Sequence, residues 1–511
     1  MNYEKYSVDG MSGSGYALNS NDKPFISQAT EDFRASDSFN HRATAGYFAR
    51  FNYDYEGRYL FEANVRYDGS SRFVGPKRWA WFPSFSLGWN IARERFFEEL
   101  TSYMNTLKPR VSWGKLGNTS SAYSSFWDWY PFFQQQGVGI ENSALIIDGK
   151  RQNTASLPGI INNALTWEKV STINVGLDWG MFNNRLTGEF NWFSRDTKDM
   201  IGPAPVLSFV LGADAPRANN CDLRTRGWEL EVRWNDRIGN VNYGARFNIS
   251  DTRTKILNYP YNGNFGEQII TSYYNGKNLG EIWGYTTEGI ANSDEQMEAW
   301  LADNKPNWGS NWRAGDIMYR DLNDDGKVSP GNSTLDDHGD LRVIGNSTPR
   351  YRFGINLNAE WKGIDFSVFF QGVMKRDYWF GNEPYFWGAS GGMWQSCVFV
   401  EHLDYWSPDN QDAYYPLPYF SNTKNKQTQT RYLQDASYIR CKNMQLGYSL
   451  PRNLIRKIGM TNCRIYVSVD NLFTCSKMSS VFDPEALSGS NGAGKLYPLT
   501  RTWAAGVSLN F

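Results

Sequence analysis

The feature that most constrains this chain is a hydrophobic period of two that recurs along most of its length. From Tyr351 to Trp361, residues Tyr351, Phe353, Ile355, Leu357, Ala359 and Trp361 share one face, while Arg352, Gly354, Asn356, Asn358 and Glu360 share the other. Val241, Tyr243, Ala245, Phe247 and Ile249 alternate in the same way against Asn242, Gly244, Arg246, Asn248 and Ser250. So do Trp228, Leu230, Val232 and Trp234 against Glu229, Glu231 and Arg233. The chain stops on the same pattern, at Trp503, Ala505, Val507, Leu509 and Phe511. An α-helix cannot gather every second residue on one side, so these are strands with one apolar and one polar face.

One such strand also fits a soluble sandwich; repetition and spacing decide between the two. The alternation predicts strands over 43–55, 58–68, 79–92, 106–117, 168–180, 185–197, 223–235, 241–253, 349–361, 364–374, 437–450, 461–475 and 499–511. These are about thirteen strands, each near or above the ~9–11 residues that a tilted strand needs to cross a bilayer. Their connections alternate between two kinds. One kind is short and carries turn residues, as at Glu56-Gly57, Asn183-Asn184 and Lys362-Gly363. The other is long, over 118–165, 199–222, 255–348, 375–436 and 476–498, after a moderate loop at 69–78. A membrane barrel has this asymmetry, with short turns on the periplasmic side, long loops outside and aromatic residues at both interfaces. Residues such as Arg110, Asp178, Glu229, Glu231 and Arg246 would then face a wet lumen.

Composition agrees. There are 21 Trp, 30 Tyr, 31 Phe and 47 Gly, a mixture that favours strands and turns. Mean hydropathy is -0.57, and no apolar run reaches the roughly 18 residues of a helical span. A β-span is compatible with that value, because only alternate residues meet lipid. With 52 Lys+Arg against 53 Asp+Glu, nothing points to a nucleic-acid partner. The five cysteines, Cys221, Cys397, Cys441, Cys463 and Cys475, show no C-x-x-C spacing, and the three histidines supply little for catalysis or metal binding. The opening MNYEKYSVDG lacks a charged region followed by an apolar core, so no signal peptide is visible there.

Five stretches together resemble the SusC/RagA family of TonB-dependent outer-membrane transporters of Bacteroidetes-type bacteria. They are VRYDGSSRFVGPKRWAWFPSFSLGWNI, GDIMYRDLNDDGKVS, VIGNSTPRYRFGINLNAEWKGIDFSVFFQG, YWSPDNQDAYYPLP and YIRCKNMQLGYSLPRNLIRKIGMTNCRIYVSVDNLFT, in family order. The resemblance implies an all-β, antiparallel transmembrane barrel of about 22 strands with a plugged lumen. It implies import of an oligosaccharide or peptide ligand, with a SusD-like surface lipoprotein as lid and the TonB complex as energy source. On this reading residues 41–511 are the carboxy-terminal barrel portion, residues 1–40 are an extracellular loop remnant, and the plug and roughly the first nine strands have no counterpart. The expectation is a fragment that does not transport alone, whose parent sits in the cell outer membrane with extracellular loops. Trp503, Val507, Leu509 and Phe511 resemble the carboxy-terminal signal that the barrel assembly machinery reads before insertion into the lipid bilayer.

Two kinds of site stand out. DLNDDGKVS places Asp321, Asn323 and Asp325 before Gly326, the early spacing of a calcium loop; Asn332 occupies the position where a bidentate Glu is wanted. It reads either as a structural calcium brace or as an acidic turn without an ion. Trp127, Trp129, Tyr130, Trp387 and Trp394 are loop aromatics that could stack on a sugar ring or pack their own loop. No nucleophile elbow, phosphate loop or H-E-x-x-H pattern is present, so no catalytic residue and no required cofactor is expected. The alternatives to a transporter are a surface β-protein that binds carbohydrate or a host ligand, and a secreted β-rich hydrolase.

Overall fold

In the computed structural model, the described residues are 1–20, 22, 25–119, 138–139, 146–147, 150–151, 154–155, 162, 164–203, 217–260, 268–381, 383–391, 397–420, 423–456, 459–487 and 496–511. Fourteen strands form one antiparallel sheet in sequence order. They are β1 (Asn2–Leu18), β2 (Ala29–Tyr55), β3 (Tyr59–Ser70), β4 (Trp79–Trp89), β5 (Met104–Asn118), β6 (Glu168–Met181) and β7 (Leu186–Gly202). They continue with β8 (Ala218–Ile238), β9 (Val241–Asn258), β10 (Arg350–Trp361), β11 (Ile364–Lys375), β12 (Tyr438–Ser449), β13 (Asn462–Ser476) and β14 (Thr502–Asn510). Each strand pairs with its neighbours in the chain, which is the meander of an up-and-down barrel wall. The sheet is open, with β1 and β14 at its two edges.

The register aligns the alternating residues into two continuous faces. Across the apolar face run Phe61 opposite Leu87, Val111 opposite Val175, Phe190 opposite Leu230, Leu357 opposite Val368, and Ile465 opposite Val507. Leu87, Val111, Val175, Leu357, Ile465 and Val507 are all exposed, which soluble monomers rarely do on this scale. Aromatics concentrate at its two ends. Tyr55, Tyr59 and Trp89 stack near the short turns, while Tyr47, Tyr67, Trp79 and Trp81 stack at the opposite rim.

The polar face is cross-linked by ion pairs between strands. Arg110 reaches Asp178 at 3.0 Å, Arg246 reaches Glu231 at 2.7 Å, and Arg464 reaches Asp365 at 2.5 Å across the intervening β12. That last pair depends on Gly447, where an added Cβ would sit 2.6 Å from both Arg464 and Asp365. The inward placement expected for Arg110, Asp178, Glu231 and Arg246 is what the register delivers.

Turns set the two ends apart. Lys362 and Gly363 both have positive φ, at 47° and 88°, the geometry that returns β10 tightly into β11. The connections 56–58, 182–185, 239–240 and 362–363 lie on the same end as the helical turns of 90–103 and 450–461. The strand ends that lead into the connections 71–78, 119–167, 203–217, 259–349, 376–437 and 477–501 lie on the other.

Two features differ from the sequence reading. Residues 1–40, expected as a loop remnant, hold β1 and the first part of β2, paired from Asn2 opposite Gly46 to Leu18 opposite Ala29. Because β3 ends at Ser70, opposite Thr44, this hairpin rises beyond the rim on the long-loop side. The thirteen strands β2 to β14 are the wall, and β1 is an outlying partner of β2. Gly10, Gly13 and Gly15 interrupt the alternation of β1, which is why periodicity does not detect it. The loop expected over 199–222 is shorter, because β7 runs to Gly202 and β8 begins at Ala218.

Candidate functional site

The described parts of the long connections 259–349, 376–437 and 477–501 fold together into a unit on the rim. Glu281–Gly284 pairs with Arg342–Asn346, Thr287–Ile290 pairs with Ile317–Tyr319, and Tyr285 exchanges backbone hydrogen bonds with Thr428 and Thr430. Helix α1 (Asp294–Asp303) starts where the Ser293 hydroxyl accepts from the Gln296 N–H, with Asp294 and Glu295 suited to its positive end. All three connections contribute to one core, in which Met297, Ile317, Tyr319, Phe386, Tyr432 and Phe482 are buried.

At its centre is a fully buried ion pair, Lys424 Nζ to Asp316 Oδ2 at 2.6 Å. Lys424 also donates to the Asn311 carbonyl at 3.0 Å and lies 4.2 Å from the Tyr419 ring centre. Asn425 donates to the other oxygen of Asp316 at 2.9 Å. Burial pushes the Tyr419 hydroxyl up to about 12, so it stays neutral, and it accepts from Arg313 Nε at 3.1 Å. His402 is buried in the same unit; its Nδ1 accepts from the Phe399 N–H at 3.0 Å and its Nε2 donates to the Phe386 carbonyl at 3.1 Å. That arrangement selects the neutral ring, and burial holds its pKa below the ordinary 6.5.

The unit is anchored to the polar face of the wall. Arg440 on β12, 4% exposed, pairs with Asp483 at 2.7 Å and Glu485 at 2.5 Å, and Lys442 pairs with Glu485 at 3.1 Å. Where β9 runs past the start of β10, a cleft of about 360 Å³ opens between wall and unit. Thr252, Thr254, Asn278, Asn346, Arg350 and Lys375 are among its lining residues. The polar face, the cleft and the folded connections thus meet at one end of the sheet, the mouth.

The residues singled out from sequence fall in separate places. Asp321 accepts backbone N–H groups from Asn323, Asp324 and Gly326, and Asp325 accepts from Lys327. Asn323 Oδ1 accepts from the Asp325 N–H, and Asn332 turns its amide to Asp337. The loop is thus closed by Asx-type bonds, and among the described residues no three or more His, Cys, Asp or Glu side chains gather as a metal site. Trp387, read as a possible stacking platform, is 4% exposed and packs against Trp379, Phe386 and Tyr432. Trp127, Trp129, Tyr130 and Trp394 lie outside the described residues. Trp503, Val507 and Leu509 stand on the apolar face of β14, and Phe511 follows it; all four are exposed.

Residues 2–336 match the family described as TonB dependent receptor-like, beta-barrel. The chain belongs to this family. It is similar to TonB-dependent receptor P3 of Formosa agariphila, 26% identical over 501 residues, covering 93% of this chain and 46% of that protein. It is also similar to TonB-dependent receptor SusC of Bacteroides thetaiotaomicron, 26% identical over 480 residues, covering 91% of this chain and 43% of the relative. Among solved structures, the RagAB peptide transporter superposes with a TM-score of 0.75 at 23% identity, over 100% of this chain and 52% of that one. The chain therefore spans about half the length of these proteins.

Proposed function

We propose that this chain forms the carboxy-terminal wall and the folded mouth of a TonB-dependent importer of SusC/RagA type in an outer membrane. The observation that carries the reading is the two-faced sheet: an exposed apolar face with aromatic ends, backed by a polar face whose charges pair across strands. A secreted binder would have no use for the apolar face. In this reading the apolar face meets lipid, the polar face lines the passage, and the unit built on connections 259–349, 376–437 and 477–501 stands outside. The open sheet and the half-length match favour a working protein with further wall strands and a plug, so that the chain alone does not transport. The cargo class is an oligosaccharide or a peptide, delivered by a SusD-like surface lipoprotein, with energy from TonB and insertion by the barrel assembly machinery. The protein binds and passes its cargo without chemical change, so it is not an enzyme.

The test is genetic and biochemical together. The native protein, detected through peptides of this chain, is expected in the outer-membrane fraction at a mass well above 58.6 kDa. Deleting its gene, or inactivating TonB, is expected to abolish growth on the same oligosaccharide or peptide. Growth that survives both, with ligand still bound at the surface, would establish the non-transporting binder instead. Calcium on Asp321, Asn323 and Asp325 is a proposal of its own. It predicts that calcium protects the 321–332 segment from protease and that Asp321→Asn removes the protection.

A further inference from the structure

Arg352 and Lys375 stand on the polar face at the mouth ends of β10 and β11, Arg376 follows in the chain, and none of the three makes an ion pair among the described residues. Arg352 is opposite Val373 in the ladder, so Lys375 is its diagonal neighbour on the same face. Both are exposed. Arg376 is only 8% exposed. It donates Nε to the Ser347 carbonyl at 3.2 Å and Nη1 to the Pro484 carbonyl at 3.4 Å, and the Tyr378 ring centre lies 5.8 Å from its guanidinium. Its Nη2 has no acceptor among the described residues and is not completely sealed from solvent.

Most acids nearby are already engaged. Asp251 is paired with Arg350, and Asp483 and Glu485 are held by Arg440, while the two carboxylates that line the cleft are hydrogen-bonded, Asp377 by the Asn346 N–H at 2.9 Å and Glu281 by the Tyr274 hydroxyl at 2.7 Å and the Asn278 amide. Burial first, and the charge of Arg352 after it, lower the Arg376 pKa, while Tyr378 and Tyr438 oppose the shift. A buried guanidinium is costly unless a counter-charge reaches it, and two cations in mutual repulsion add to that cost. Lys375 also lines the cleft of about 360 Å³, which leaves room for a ligand group beside it.

We propose that Arg352, Lys375 and Arg376 form an anion-recognition subsite at the mouth, which takes a carboxylate or sulfate group carried by the imported ligand. This deepens the importer reading and rests on it for the word imported. Planar guanidinium groups bind such oxyanions through paired N–H donors, and a partly buried one does so with less screening by salt.

The experiment uses the full-length protein extracted from the outer membrane and three probes: a galacturonate trimer, a sulfated disaccharide and uncharged maltotriose. Calorimetry is expected to show at least one anionic probe binding more tightly than maltotriose, with the tighter of the two identifying the group preferred. Arg352→Gln, at an exposed side chain, is expected to weaken that binding about tenfold without touching maltotriose. Arg376→Gln is expected to do more, but its bonds to Ser347 and Pro484 make it the less clean variant. Unchanged anion affinity in Arg352→Gln and Lys375→Gln, or equal affinity for all three probes, overturns the proposal. The two readings fail separately: growth that survives gene deletion sinks the importer, while anion binding lost in Arg352→Gln still supports the subsite.

Discussion

Lys424 and Asp316 are 108 positions apart in sequence and fully buried together, so each is the other's condition for burial. Replacing Lys424 by Met leaves Asp316 charged and uncompensated, at a cost of about 3–5 kcal/mol. The double variant Lys424→Met with Asp316→Leu is expected to be milder, because no orphan charge remains. Both are read from protease cleavage within 268–349 on intact cells, and equal damage from the two would refute the pairing argument. His402 makes a second prediction at this scale. Its folded form is held neutral, so its contribution is intact above the ordinary pKa of 6.5 and is lost as pH falls below it. Cleavage near 397–405 is expected to rise between pH 7.5 and 5.5 in the wild type and to lose that pH dependence in His402→Gln. Gly447 is a third such position, because any side chain there enters the Arg464–Asp365 pair. Gly447→Val is expected to cost several kcal/mol through clash and separation of the charges, seen as a lower unfolding temperature of the extracted barrel.

Single strands obey their two faces, and substitutions sort by face. Val507→Arg, on the exposed apolar face of β14, is expected to cost about 2–4 kcal/mol if that position lies near the middle of the bilayer. Asn248→Arg, on the polar face of β9, is expected to be tolerated. The readout is folding into lipid vesicles, followed by the mobility difference between heated and unheated samples. The strands themselves were legible in the sequence because each carries its own period: 364–374 became Ile364–Lys375, and 461–475 became Asn462–Ser476. What stayed hidden has a physical reason in each case. Serines and glycines blunt the alternation of β1, and the pairing that fixes it lies on β2. The folded unit at the mouth was read as loops, because its short strands find partners far along the chain and leave no local period. Trp387 read either as a stacking surface or as loop packing; the structure makes it core, and its contact with Tyr432, 45 positions on, is what the local sequence does not announce. Arg376 escaped notice for the same reason: its burial depends on Ser347 and Pro484, which belong to other connections.

At the scale of the whole molecule, wall and mouth are joined by charge as well as by chain. Arg440 and Lys442 bind Asp483 and Glu485, so the connection 477–501 is fastened to the wall two strands before it returns to it. Arg440→Ala is expected to loosen that connection, raising its protease sensitivity while the wall still resists heat. The core of the mouth draws on connections 259–349, 376–437 and 477–501 at once, and its central ion pair joins the first two. Ligand preference in such a molecule cannot be exchanged one loop at a time. A graft from a relative that carried only 376–437 would bring a new partner for Asp316 but not the cavity in which it must fit. The heritable unit of specificity is all three connections together, and a chimera that moves them as one block is expected to assemble where single-loop chimeras fail.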